Sequence, residues 1–165
     1  MGCTGCQMAR SELSPAGTDN ILALQSVESQ AVGSAACSFL TRSFVIASNQ
    51  PGLLVDATFA EELLGMFPNL GEHACKQNGI GFYQDKIIGS SLPHLIEHLA
   101  IDQMVSKQRL AGNSQAIAGF TKWIDHSKGL ALVRLRVPVG LADSGDDEEA
   151  VKAAIKLVNA YYAKA

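Results

Sequence analysis

The sequence predicts an α+β fold: a single domain with a small, mainly antiparallel sheet packed against helices. Residues 21–27, 38–47 and 130–137 alternate or concentrate apolar side chains in the manner of strands. Residues 91–110 and 150–161 instead space their apolar side chains three and four apart, as a helix does. The 165 residues, 47% of them hydrophobic, are enough for one core, and no repeat divides them.

Residues 1–19 carry Gly2, Gly5, Pro15 and Gly17 among small polar residues and read as a flexible lead-in to a domain spanning 20–165. Ordered structure is expected from Ile21, the start of the first strand. In the second strand Phe39, Thr41, Ser43, Val45 and Ala47 share one side, and the small residues 31–36 connect the two. Asn49-Gln50-Pro51-Gly52 is a turn signal. Thr58 and Glu61 have the spacing of a capping box, so a short helix should follow with Phe59, Leu63 and Met66 inward, stopped by Pro68 and Gly71. The glycine-punctuated segment from Gly71 to Gly89 can approach a site closely, but Gly79-Ile80-Gly81 lacks the longer pattern of a phosphate loop.

A longer helix is expected from Ser91, with Pro93 tolerated in its first turn and Ala111-Gly112-Asn113 as its exit. The stretch around Phe120 and Trp123 has no decisive period. The last strand places Ala131, Val133, Leu135 and Val137 on an apolar face. Acidic residues from Asp143 to Glu149 then complement the dipole at the start of a final helix. Ala150, Ala153, Ala154, Leu157, Val158 and Tyr161 form its expected packing face.

With 13 Lys plus Arg against 16 Asp plus Glu, the formal charge of −3 gives no basic footprint for nucleic acid. Cys3, Cys6, Cys37 and Cys75 are too few for a disulfide scaffold, and Cys3-x-x-Cys6 has no second pair to complete a four-thiolate site. The start of the chain lacks the order of a secretory signal, and no segment approaches the roughly 20 apolar residues of a membrane span. A cytoplasmic location with no membrane partner is the expectation, and a homo-oligomer stays open.

The strongest chemical signal is His94-Leu95-Ile96-Glu97-His98. Residues three and four apart share a helix face, so two imidazoles and a carboxylate can reach one point. The spacing is that of an inverted zinc-peptidase motif. In that reading His94 and His98 hold Zn²⁺, and Glu97 is the general base toward metal-bound water. His73, on the glycine-flanked segment, is the first choice for a third ligand, with Cys75 as the local alternative. Glu72 can orient a ligand. Asp102 lies about 12 Å along the helix from His94 and suits the orientation of His98 or a basic substrate group. Arg134 and Arg136 share a strand face and suit an acidic group or a structural ion pair. The same His-x-x-Glu-His string also occurs on ordinary polar helix surfaces, and His126, beside Asp125 and Lys128, reads as a solvated residue.

Four blocks resemble the N-terminal domain of cyanophycin synthetase. They are Phe67-Pro68-Asn69-Leu70-Gly71-Glu72-His73-Ala74-Cys75 with Gly79-Ile80-Gly81-Phe82 behind it; His94-Leu95-Ile96-Glu97-His98-Leu99-Ala100-Ile101-Asp102; Ala111-Gly112; and the strand at 130–137 with the helix at 154–160. The resemblance runs from about Leu40 to Tyr161. It implies, in some members, a metallopeptidase-like site that cuts cyanophycin, an arginine-decorated poly-aspartate, into primers, and in others a surface that binds and orients the polymer. The ATP-grasp and Mur-ligase-like domains of full synthetases have no counterpart in these 165 residues. Arg134 and Arg136 stand where the family's closing strand tends to be acidic, which favours a carboxylate-rich peptide or a polymer backbone.

The resulting expectation is a zinc-dependent hydrolase of peptide or isopeptide bonds, acting on cyanophycin or a related acidic-backbone peptide. The alternatives are a non-catalytic polymer- or peptide-binding module and a partner of a separate ATP-dependent ligase.

Overall fold

In the computed structural model, which describes residues 11–12, 20–31, 39–77 and 79–164, the alternating stretches pair into one five-stranded sheet. Its strands are β1 (Ser11–Glu12), β2 (Leu22–Ala31), β3 (Phe39–Ser48), β6 (Ala118–Asp125) and β7 (Leu130–Pro138). They lie in the order β1-β2-β3-β7-β6, every neighbour antiparallel. The two-residue strands β4 (Ala74–Cys75) and β5 (Gly81–Phe82) form a separate hairpin between α1 (Ala57–Met66) and α2 (Leu92–Leu110). The short α3 (Val139–Asp143) and α4 (Asp146–Tyr162) close the described chain. Most of the expected lead-in, the Cys3-x-x-Cys6 pair, residues 32–36 and Cys37 lie outside the described residues.

The period-two pattern decides which face is covered. Phe44 pairs with Val27 on one side and Val133 on the other, and Val133, Leu135 and Val137 alternate inward with no exposed surface. α2 packs on β6 and β7, α4 on β2, and the two helices pack on each other. The helices lie on one face of the sheet, and Arg134 and Arg136 project from the other. At the start of β2 the Asn159 amide of α4 bonds the Leu22 backbone twice, at 2.9 Å from Leu22 N–H and 2.8 Å to its carbonyl. That stitch satisfies two groups a strand end would otherwise leave unpaired.

Several local expectations are corrected. The cap of α1 is Asp56, whose Oδ1 accepts from the Phe59 N–H at 2.8 Å, rather than Thr58. The helix starts earlier because a carboxylate two residues upstream is the better N-cap acceptor. Its inward residues are Phe59, Ala60 and Leu63, while Met66, in the last turn, is half exposed. The undecided stretch is β6: its outer residues face solvent on both sides of Thr121, so no apolar alternation marks it. α4 buries Val151 and Ile155 with Ala150, Ala154 and Val158, and leaves Ala153 exposed. The exit of α2 is as expected, with Gly112 at φ +74 and Asn113 N–H returning to the Gln108 carbonyl. Among the described residues, no helix is long and apolar enough to cross a membrane.

Candidate functional site

α2 is buried nearly all round, unlike a surface helix with one apolar stripe. Leu95, Ile96, Leu99 and Ala100 have no exposed surface, and His94, Glu97, His98 and Asp102 are buried with them. His94 and His98 therefore lie beneath the surface as part of the packing. Polar groups in such positions must be partnered, and here they partner one another along the wall of a cleft of about 850 Å³. The cleft is bounded by α2, the segment 72–77 and the run 113–121 that enters β6.

The rings meet in a chain. His94 Nε2 stands 3.1 Å from His98 Nε2 and 3.6 Å from Cys75 Sγ. His98 Nδ1 stands 3.3 Å from His73 Nδ1, and His73 Nε2 lies 3.4 Å from Asp102 Oδ1. Tyr83 forms the floor, stacked on His98 at 3.8 Å between ring centroids and edge-on to His94 at 5.4 Å, with its hydroxyl 3.0 Å from Ser90 Oγ. Lys86 donates to the Cys75 carbonyl at 2.8 Å and also to the Gly79 carbonyl, which closes the β4–β5 turn under the thiol.

Burial, helped by the Lys86 charge, holds His94 down at about 4. Burial together with the neighbouring His94 and His73 rings holds His98 at about 2. Both rings are thus neutral at pH 7 and keep a lone pair, the form that ligates metals. Burial raises the Glu97 carboxyl to about 7, opposed by its hydrogen bond from the Thr121 hydroxyl and by His73. Gly119 accommodates that carboxylate: a Cβ there would overlap Glu97 Oε1.

Among the described residues, Cys75, His94 and His98 are the donors that lie close enough to hold one cation, with ligand atoms all within 4.8 Å of one another. Around a tetrahedral zinc with nitrogens at about 2.05 Å and sulfur at about 2.3 Å, neighbouring donors stand about 3.3 Å (N to N) and about 3.6 Å (N to S) apart. The His94–His98 and His94–Cys75 separations of 3.1 Å and 3.6 Å lie near those edges, and the widest separation in the group is bounded by 4.8 Å. His94 Nδ1 has no hydrogen-bond partner among the described residues, so the ring is held by its Nε2 contacts and by the edge of Tyr83.

Of the residues singled out from sequence, the structure gathers His73, Cys75, His94, Glu97, His98 and Asp102 in one place and sets Glu72 at the cleft mouth. Arg134 is apart: it is exposed on the uncovered sheet face, opposite Ser43 and Phe120, across the sheet from α2. Arg136 lies over the Phe39 ring, 4.6 Å from its centroid. His126 is exposed in the β6–β7 turn with its ring edge-on to Trp123. Tyr83, Thr121 and Gly119 escaped the sequence reading. Thr121 and Gly119 sit on β6, a strand that had no periodic signal, and Tyr83 follows directly on the Gly79-Ile80-Gly81-Phe82 block.

No curated protein and no solved structure matches the chain. A family model described as the cyanophycin synthase-like N-terminal domain matches residues 55–163. This overturns the expectation of a zinc-dependent, metallopeptidase-like hydrolase, because the description is of a synthase, which builds rather than cleaves. The geometry agrees with the correction: the converging donors are a thiol and two imidazoles, while the Glu97 carboxylate turns to Thr121 on β6 and packs against Gly119. With the match spanning α1 through α4 and most of the chain, this protein belongs to the cyanophycin synthase-like N-terminal domain family.

Proposed function

We propose that this chain is a non-catalytic module that binds a peptide-like polymer and works beside a separate ATP-dependent ligase. The observation that carries the reading is the cleft along α2, in a domain of a polymer-forming family. Its lining suits an amide polymer with charged side groups. Glu72 and Glu97 offer carboxylates to guanidinium groups, Lys76 and Arg109 offer cations to carboxylates, and Asn113, Ser114 and Gln115 offer amide and hydroxyl partners to a backbone. Cyanophycin, or another acidic-backbone peptide, combines those features. The cytoplasm, where a free thiol such as Cys75 stays reduced, is the location assigned to this work.

We assign zinc to Cys75, His94 and His98 on the strength of their mixed nitrogen and sulfur donor set. When bound it ties β4 to α2 and stiffens the wall of the cleft. The test is binding of cyanophycin and of short aspartate–arginine peptides to the purified chain, by calorimetry, with and without chelator. Saturable binding that is weakened by Glu72→Gln supports the reading. Absence of binding at any metal load refutes it.

A further inference from the structure

We propose that His73 and Asp102 are positioning residues that hold His98 in the one tautomer able to face the cluster. This rests on the reading of Cys75, His94 and His98 as the metal-holding group. Once His98 Nε2 is reserved for a cation, one proton arrangement follows. His98 has Nε2 turned to His94 at 3.1 Å and Nδ1 turned to His73 at 3.3 Å. If Nε2 keeps its lone pair for a cation, the proton sits on Nδ1 and is donated to His73 Nδ1. That nitrogen must then be bare, which puts the His73 proton on Nε2, facing Asp102 Oδ1 in an electrostatic contact at 3.4 Å. The carboxylate, an obligate acceptor when ionised, favours an N–H rather than a lone pair on the side of His73 that faces it.

The sequence spacing makes the line possible. Asp102 follows His98 by four residues, one turn further along the same helix face. His73 enters from the 3₁₀ turn at Leu70–Glu72, with its carbonyl fixed by the Tyr83 N–H at 2.8 Å, so its ring is placed between the two α2 side chains. Tyr83 stacks on the His98 ring at 3.8 Å and resists rotation out of line. His94 has no such support, since its Nδ1 is unpartnered among the described residues. Metal-bound histidines as a rule donate their second ring N–H to a carboxylate, carbonyl or water, and loss of that partner typically costs about 10–100-fold in affinity. Here the carboxylate acts through a second imidazole.

The experiment combines two readouts on the full chain. In the metal-free, ¹⁵N-histidine-labelled protein, long-range ¹H–¹⁵N spectra should show His98 protonated on Nδ1 and His73 on Nε2. In zinc titrations competed by a chromophoric chelator, His73→Ala and Asp102→Asn should keep one zinc per chain with affinity reduced about 10–100-fold. His73→Asn, whose Oδ1 can take the place of the ring Nδ1, should restore most of it, and His94→Ala should lose stoichiometric zinc. Three results overturn the inference: His98 protonated on Nε2 in the wild type, His73→Ala as damaging as His94→Ala, or His73→Ala equal to wild type. If the wild type takes up no zinc, the metal reading fails, and the tautomer spectra judge the hydrogen-bonded line by themselves. Those spectra need no variant, so they decide the question even where a substitution misfolds.

Discussion

α2 and α4 pack against each other and against the same sheet, yet they bury opposite kinds of residue. α4 presents one stripe, Ala150, Val151, Ala154, Ile155 and Val158, and its single buried charge, Asp147, is met by Arg42 of β3 at 2.6 Å. α2 buries His94, Glu97, His98, Asp102 and Gln108 among its leucines and isoleucines. Fold stability alone favours the first arrangement, because each buried polar group costs desolvation that a hydrogen bond only offsets. The difference marks α4 as scaffold, and under the proposed function α2 is the element whose polar residues are kept for binding.

Substitutions on the scaffold side should therefore cost stability and spare the site. Arg42→Met leaves Asp147 without its cation and should lower unfolding free energy by about 3–5 kcal/mol, read in urea melts. Its zinc affinity should stay within about twofold, since a site this far from β3 shares no partner with it. Ile155→Ala opens a cavity under α4 and should cost about 2–5 kcal/mol, again with zinc retained.

Substitutions on the α2 side should do the reverse. His94→Leu should remove stoichiometric zinc while moving the metal-free urea midpoint less than Ile155→Ala does. Gly119→Ala places a methyl where the Glu97 carboxylate sits, so the carboxylate must leave Thr121. Peptide binding should weaken by about tenfold, a loss on the order of 1.4 kcal/mol, with zinc stoichiometry unchanged. Equal effects of His94→Leu and Ile155→Ala on stability would erase the distinction between the helices.

A further effect is on pH dependence in the presence of chelator. Glu97 titrates at about 7 in the fold against 4.5 when free, so the folded state binds its proton more tightly. That contribution is complete below about pH 4.5 and is lost as pH rises through 7. His94 and His98, at about 4 and about 2 against 6.5, act in the opposite sense: their contribution is complete above pH 6.5 and is lost as pH falls toward 4 and 2. The two trends oppose each other between pH 4.5 and 6.5. Glu97→Gln removes only the first, so the variant's urea midpoint should rise with pH across pH 5–7 more steeply than that of the wild type. Parallel curves would show that the Glu97 carboxyl is not perturbed by burial.

What could be read from sequence followed where periodicity was strong. The strand at Leu130–Pro138 and the helix at Leu92–Leu110 announce themselves, since one alternates and the other carries both an N-terminal Pro93 and a C-terminal Gly112. β6 does not, because it is the last strand of the sheet and its outer side chains answer to solvent rather than to a core. The same blindness hid Thr121 and Gly119. His94 and His98 were legible as neighbours because helix geometry alone puts them on one face. His73 was also legible as a neighbour of the pair, from its glycine-flanked segment, but that its ring meets His98 Nδ1 was not, because the approach depends on a turn that no local pattern specifies. The hydrolase expectation failed for a related reason: spacing fixes which groups converge, but the direction in which the Glu97 carboxylate turns is decided by β6, far along the chain.

Binding without cleavage is tested most directly by a single incubation of the zinc-loaded chain with cyanophycin, in which bound polymer and polymer length are measured together. The polymer should be retained by the protein and recovered at its original length, with no new chain ends. Shortened polymer, or polymer that never associates with the protein, would contradict a non-catalytic binding role.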